Sequence, residues 1–188
     1  MIDLRNKGLP LTIKVGERFF KLKTDFREWI KFGEVLKGKF DLTDLFFVID
    51  EELTLLDCAI YGDSIVKELL NFYTNQNATP KQTENDNGEE IIDYVLDGDY
   101  IYSSYLAQYG IDLVDIEYLH WHKFKALFLG LNDGSKIKQI MSFRNYKKSN
   151  KKEEEVRKEL KEIWKLPKKE NENQDEIMEE INNEFYNS

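Results

Sequence analysis

Three observations predict a mainly α fold with a small N-terminal β-hairpin. Apolar residues recur at three- and four-residue spacing through most of the 188-residue chain. One stretch, "LTIKVGERFFKLKT", alternates apolar and polar residues on both sides of Gly16 instead, as two short antiparallel strands do. Toward the C-terminus the apolar stripes narrow and charge collects in blocks. The expected organisation is a compact helical domain over residues 1–146, carrying the hairpin and a flexible acidic loop at 77–90, followed by a charged helical extension and acidic tail over 147–188.

After the hairpin, Asp25 stands where a helix N-cap belongs, with Glu28 at the capping-box position. Phe26, Trp29, Ile30, Phe32 and Leu36 then form one apolar stripe, which Gly38 ends. "DLTDLFFVIDEELTLLDCAI" predicts a second helix, apolar on more than half its circumference and therefore central to the core. Gly62 and Asp63 read as a stop and a new N-cap before "SIVKELLNFYTNQ". Residues 77–90 are polar and contain Pro80 and Gly88, the composition of a loop. "DYIYSSYLAQYG" is a short tyrosine-rich helix stopped by Gly110; its acidic surroundings favour packing over base stacking.

The stretch "YLHWHKFKALFLGL", with "IDLVDIE" before it, holds both histidines. Wound as one helix, it places Leu113, Phe124 and Leu131 on a line, flanked by Leu127 and Ile116 on one side and Phe128 and Trp121 on the other. His120 falls inside that arc with Glu117 as its candidate partner, and His122 falls opposite. Histidines two apart on a helix do not converge on one metal ion. The width of the stripe predicts burial of Trp121, Phe124 and Phe128, which are also candidate partner-binding residues. "NDG" is a turn, and Ser135 caps a further helix with Ile137, Ile140 and Met141 inward. Beyond it, Val156, Leu160, Ile163 and Trp164 form a narrow stripe, and Ile177, Met178, Ile181 and Phe185 another; such stripes suit a partner helix, so Val156, Leu160 and Trp164 join the candidates.

Composition narrows the function. Net charge of −9 disfavours general nucleic-acid binding, which needs clustered Lys and Arg against phosphate. The single cysteine, Cys58, lies in an apolar run with no basic neighbour and reads as a small buried hydrophobe in a reducing cytosol. No apolar run reaches the roughly 18–20 residues of a membrane span, and the N-terminus has no secretory h-region. The phosphate-binding, dinucleotide-binding, serine-hydrolase and zinc-cluster motifs are missing from the sequence. Asp97 and Asp99 are the kind of acidic pair that holds Mg²⁺ in many nucleases, yet such loops are more often solvated. The expectation is a non-enzyme with no catalytic residues, metal or cofactor.

Charge is unevenly spread. Residues 40–66 hold seven acidic and no basic side chains, residues 144–169 carry net +6, and residues 170–188 carry net −7. Opposite blocks suggest self-pairing or a protein partner, and the acidic tail is expected to cover the basic helix before it.

"YIYSSYLAQYGIDLVDIEYLHWHKFKALFLGL", followed by "KIKQIMSFR", resembles the signature of the phage "Gp fifteen" family of tailed phages and prophages of Gram-positive bacteria. Tyr109 to Leu113 match its "YGIDL" element. Leu119, His120, Trp121, Lys123, Phe124, Ala126, Leu127, Phe128, Gly130 and Leu131 match its "LHWWKFxALFxGL" element. Lys136, Ile140, Phe143 and Arg144 match the third, and His122 stands where the family commonly has a second tryptophan. The resemblance implies a tail assembly chaperone that binds the tape measure protein and keeps it soluble until the tail tube polymerises around it. It further implies residence in the host bacterial cytoplasm and absence from the mature virion, with the major tail tube protein and a second copy of the chain as further candidate partners. The alternative is a structural tail or connector component retained in the virion.

Overall fold

The structure is a computed structural model that describes residues 2, 4–38, 41–74, 90–146 and 154–167. The chain is mainly helical, with one two-stranded antiparallel sheet. It divides between residues 77 and 78 into two units.

The first unit begins with the hairpin of β1 (Thr12–Val15) and β2 (Arg18–Lys21), in register Ile13 to Phe20. Gly16 turns it at φ 59°, a left-handed conformation that costs glycine little. Alternation sends Ile13, Val15 and Phe20 inward and leaves Phe19 outside. Asp25 then caps α1 (Phe26–Leu36) by accepting from the Arg27 N–H at 3.1 Å, while the Glu28 carboxylate pairs with Lys31. Phe26, Trp29 and Phe32 are the buried stripe, and the Trp29 ring lies 4.5 Å from that of Phe72.

The long helix expected from residue 41 onward is two elements. A 3₁₀ helix (Leu42–Val48) ends where Ile49 turns extended and bridges Leu22 of the hairpin. Lys23 N–H donates to Val48 O, and Asp50 N–H to Lys21 O, each at 2.8 Å. This ladder, together with burial of Val48 and Ile49, outweighs helical periodicity there.

Helix α2 (Leu55–Thr74) starts afresh on a capping box. Thr54 Oγ1 accepts from the Asp57 N–H at 3.1 Å, and the Asp57 carboxylate accepts from the Thr54 N–H at 3.1 Å. The expected stop at Gly62 and Asp63 does not occur, since α2 runs through both. A mid-helix glycine costs about 1 kcal/mol, whereas burying each of Ile65, Val66, Leu69 and Phe72 returns about 1.5–3 kcal/mol. Arg18 closes the hairpin onto this helix by pairing with Asp57 and lying over the Phe20 and Tyr61 rings.

The second unit contains α3 (Gly98–Tyr109), α4 (Trp121–Leu129), α5 (Lys136–Arg144) and α6 (Glu154–Ile163). Gly110 ends α3 in the left-handed region at φ 64°, as expected. Ile137, Ile140 and Met141 of α5 are buried, but Ser135, at its N-cap position, makes no capping hydrogen bond through its hydroxyl. The loop read at 77–90, except Glu90, and the acidic tail with Ile177, Met178, Ile181 and Phe185 lie outside the described residues. Among the described residues no helix is long and apolar enough to cross a membrane.

Candidate functional site

The residues that carry the sequence signature meet in the second unit. Its centre is α4, which is shorter than the periodicity suggested. Residues 111–119 are not a helix continuous with it, because Asp112 turns the chain first. The Asp112 carboxylate accepts from the Val114 N–H at 2.9 Å and the Asp115 N–H at 3.1 Å, bonds that hold its pKa below the ordinary carboxylate value. Tyr102 adds a third donor at 3.1 Å.

The helix restarts at Trp121 with His120 as its N-cap. His120 Nδ1 accepts from the His122 N–H at 3.0 Å, a role usually taken by a Ser, Thr, Asn or Asp oxygen. Glu117, its expected partner, is exposed. His122 is buried at 4 % exposure rather than facing outward. A helical wheel begun at Leu113 fails here because the backbone is extended at His120, which resets the angular phase of every later residue.

Trp121, Phe124 and Phe128 do share one face of α4, and all three are buried. Trp121 stacks on Phe124 with centroids 5.7 Å apart, and Tyr105 stacks on Phe124 at 5.3 Å. Tyr94 meets all three edge-on at 5.8–6.0 Å. Edge and offset contacts of this kind are the arrangements that aromatic quadrupoles prefer. Lys125 lies over the Trp121 ring and Lys138 over that of Phe128. Burial pushes the Lys125 ammonium down to about 8 and lowers Lys138 in the same direction.

The tyrosines of α3 have a second task. Carbonyls in the last turn of a helix lack intrahelical donors. Tyr109 Oη donates to Leu127 O at 2.9 Å and Gln108 Nε2 to Gly130 O at 2.9 Å, while the Asn132 N–H returns to Gln108 Oε1 at 2.8 Å. One turn earlier, Tyr105 Oη donates to Phe124 O at 2.5 Å, and burial raises the pKa of its hydroxyl far above the usual phenol value. The approach at Gly130 is close, since a Cβ there would lie 3.1 Å from Tyr109 Oη and the hydroxyl would have to give by a few tenths of an ångström. The "YxxxY" spacing of Tyr105 and Tyr109 and the "GL" that follows α4 are therefore two halves of one contact.

An ion pair that sequence reasoning did not connect holds the other end. Arg144 Nη1 and Nη2 bind the two oxygens of Asp97 at 2.5 and 2.8 Å, with both side chains buried. The same guanidinium donates to Ile91 O at 3.2 Å and, through Nε, to Trp164 O at 2.6 Å. Asp97 also accepts from the Asp93 N–H at 2.9 Å. Its carboxylate thus serves an arginine and a backbone amide, while Asp99 is exposed on the first turn of α3. The two acids do not form a cation site. Among the described residues no three His, Cys, Asp or Glu side chains gather to hold a metal ion.

The clamp brings Trp164 to α3 and α5, where Tyr100 meets it edge-on at 5.6 Å and Lys136 lies 4.6 Å over its ring. Leu160 and Trp164 are half-buried, whereas Val156 and Ile163 are 62 % and 70 % exposed. Of the six candidate partner-binding residues, Trp121, Phe124 and Phe128 are therefore internal, two are partly used by the unit itself, and Val156 faces solvent.

Residues 6–169 match the family model described as Bacteriophage Gp15 protein. No curated protein and no solved structure matches the chain. With a match over most of its length, the chain belongs to the Bacteriophage Gp15 protein family.

Proposed function

We propose that this phage protein is a tail assembly chaperone that binds the tape measure protein in the host cytoplasm, keeps it soluble, and leaves as tube subunits polymerise. The observation that carries the reading is a division of labour among apolar residues. The aromatic signature residues are spent on the fold, yet Leu55, Leu56, Ile60, Val156 and Ile163 stand exposed on helices of a chain with net charge −9. Exposed apolar side chains grouped on amphipathic helices suit a helical client, and surplus negative charge keeps a chaperone–client complex in solution. A very long tape measure chain with apolar helical stretches would aggregate without such cover. The reading calls for no covalent chemistry, metal or cofactor, and we assign no enzymatic activity.

Co-expression tests it. The tape measure protein should stay in the soluble fraction and co-purify with this chain, and should precipitate without it. Mass spectrometry of purified virions should find the tape measure but not this protein. Stoichiometric recovery in virions would establish the structural tail component instead.

A further inference from the structure

The first two turns of α2 carry an apolar face that is exposed among the described residues. Leu55 is 91 % exposed, Leu56 67 % and Ile60 59 %. Leu56 and Ile60 are four residues apart and so stand one above the other, with Leu55 beside them. The rest of α2 turns Ile65, Val66, Leu69 and Phe72 into the core, so this face is separate from the stripe that folds the unit. Its rim is acidic. The Lys21 ammonium pairs with Asp50, the Lys21 backbone N–H donates to Glu51, and Arg18 pairs with Asp57, while Glu52 on the approach to the helix and Asp63 one turn past Ile60 are exposed. Residues 40–66 contain no basic side chain at all.

Charge decides between occupants. A second copy presenting the same face would set Glu52 and Asp63 against their own equivalents. A second copy presenting the exposed edge of α6 would do little better. At 100° per residue, Glu155, Glu159 and Glu162 succeed one another around the helix on the side of Val156 and Ile163 away from Trp164. Like charges brought together in this way disfavour both pairings.

We propose that the Leu55–Leu56–Ile60 face is the docking site for a partner helix of opposite charge: an amphipathic segment with apolar residues at i, i+3 and i+4 and lysine or arginine at its flanks. This rests on the tape-measure reading and names the class of segment held. A face of two helical turns falls short of the ~1,000 Å² that a stable interface buries. Each contact is therefore weak and exchangeable, as a client that must later be surrendered to tube subunits requires.

The test uses the full chain and two fluorescent helical peptides of about 18 residues. Both carry leucine at the stated spacing; one is flanked by lysines, the other by glutamates. Leu56→Lys/Ile60→Lys changes only exposed positions, and an unchanged thermal melt verifies its fold. Val114→Lys, also exposed, is the control. At low salt the lysine peptide should bind wild type and the control alike, at least about tenfold tighter than the glutamate peptide, and should weaken at least about tenfold on the double variant. Equal binding of the two peptides, or a double variant that binds like wild type, overturns the proposal. Co-purification separates this from the chaperone reading. If wild type fails to hold the tape measure, that reading fails whatever the peptides do; if wild type and double variant hold it equally, only the docking site is wrong.

Discussion

Arg144 shows how far one side chain reaches. Its guanidinium makes four hydrogen bonds, two to Asp97, one to Ile91 O and one to Trp164 O, so it ties the segment before α3, the end of α5 and the end of α6 to one buried point. Removing it leaves the Asp97 carboxylate buried without its counter-charge. Arg144→Met is expected to lower unfolding free energy by about 3–5 kcal/mol in urea titration. Arg144→Lys keeps the charge but cannot grip both oxygens and the Trp164 carbonyl, and should recover less than half of that loss. A lysine variant as stable as wild type would show that charge alone suffices. Arg144 was legible only as a matching letter of the family pattern. Its partner lies 47 residues away, beyond the reach of any periodicity, and Asp97 in isolation looks like a solvated acid.

Within elements, local signals worked where the forces are local. Asp25, the stripe of α1, Gly110 and the inward face of α5 all stand where spacing puts them. They failed where a distant strand or a backbone reset intervenes, as when Leu22 draws Ile49 out of helix or His120 restarts the chain before Trp121. The Thr54-x-x-Asp57 cap was readable in principle, but an assumed helix through that region hid it. Two glycines give the element scale a paired test. Gly33 of α1 faces the Tyr73 hydroxyl so closely that an added methyl would collide with it, whereas nothing lies near a Cβ at Gly62 of α2. Gly33→Ala should destabilise the protein by about 1–3 kcal/mol. Gly62→Ala should stabilise it by about 0.5–1 kcal/mol, by removing a flexible residue from mid-helix. Circular-dichroism melts of the two variants should move in opposite directions.

For the molecule as a whole, the sequence made the division between an aromatic, signature-rich region and charged flanks visible, but not which apolar side chains remain outside. Burial depends on neighbours from other elements, and so Trp121, Phe124 and Phe128 went inward while Leu55, Leu56 and Ile60, expected in a core helix, did not. The same packing sets the response of the whole fold to pH. Lys125 is held at about 8 in the folded protein by burial, against 10.5 in an unfolded chain. Between those values the unfolded state binds more protons, so stability rises with pH from about 8 upward. Lys138 shifts in the same direction for the same reason. Tyr105 acts oppositely: its folded pKa is raised above 10, so the unfolded chain loses that proton first and stability falls above pH 10. Unfolding free energy is therefore expected to climb between pH 8 and 10 and to decline beyond. Lys125→Met should flatten the climb and add on the order of 1–2 kcal/mol at pH 7, a value discounted for the partial solvent contact of the amine. Tyr105→Phe should remove its share of the decline while costing stability at neutral pH through the lost bond to Phe124 O. A wild-type profile flat between pH 8 and 10 would mean that the Lys125 ammonium reaches water despite lying against Trp121.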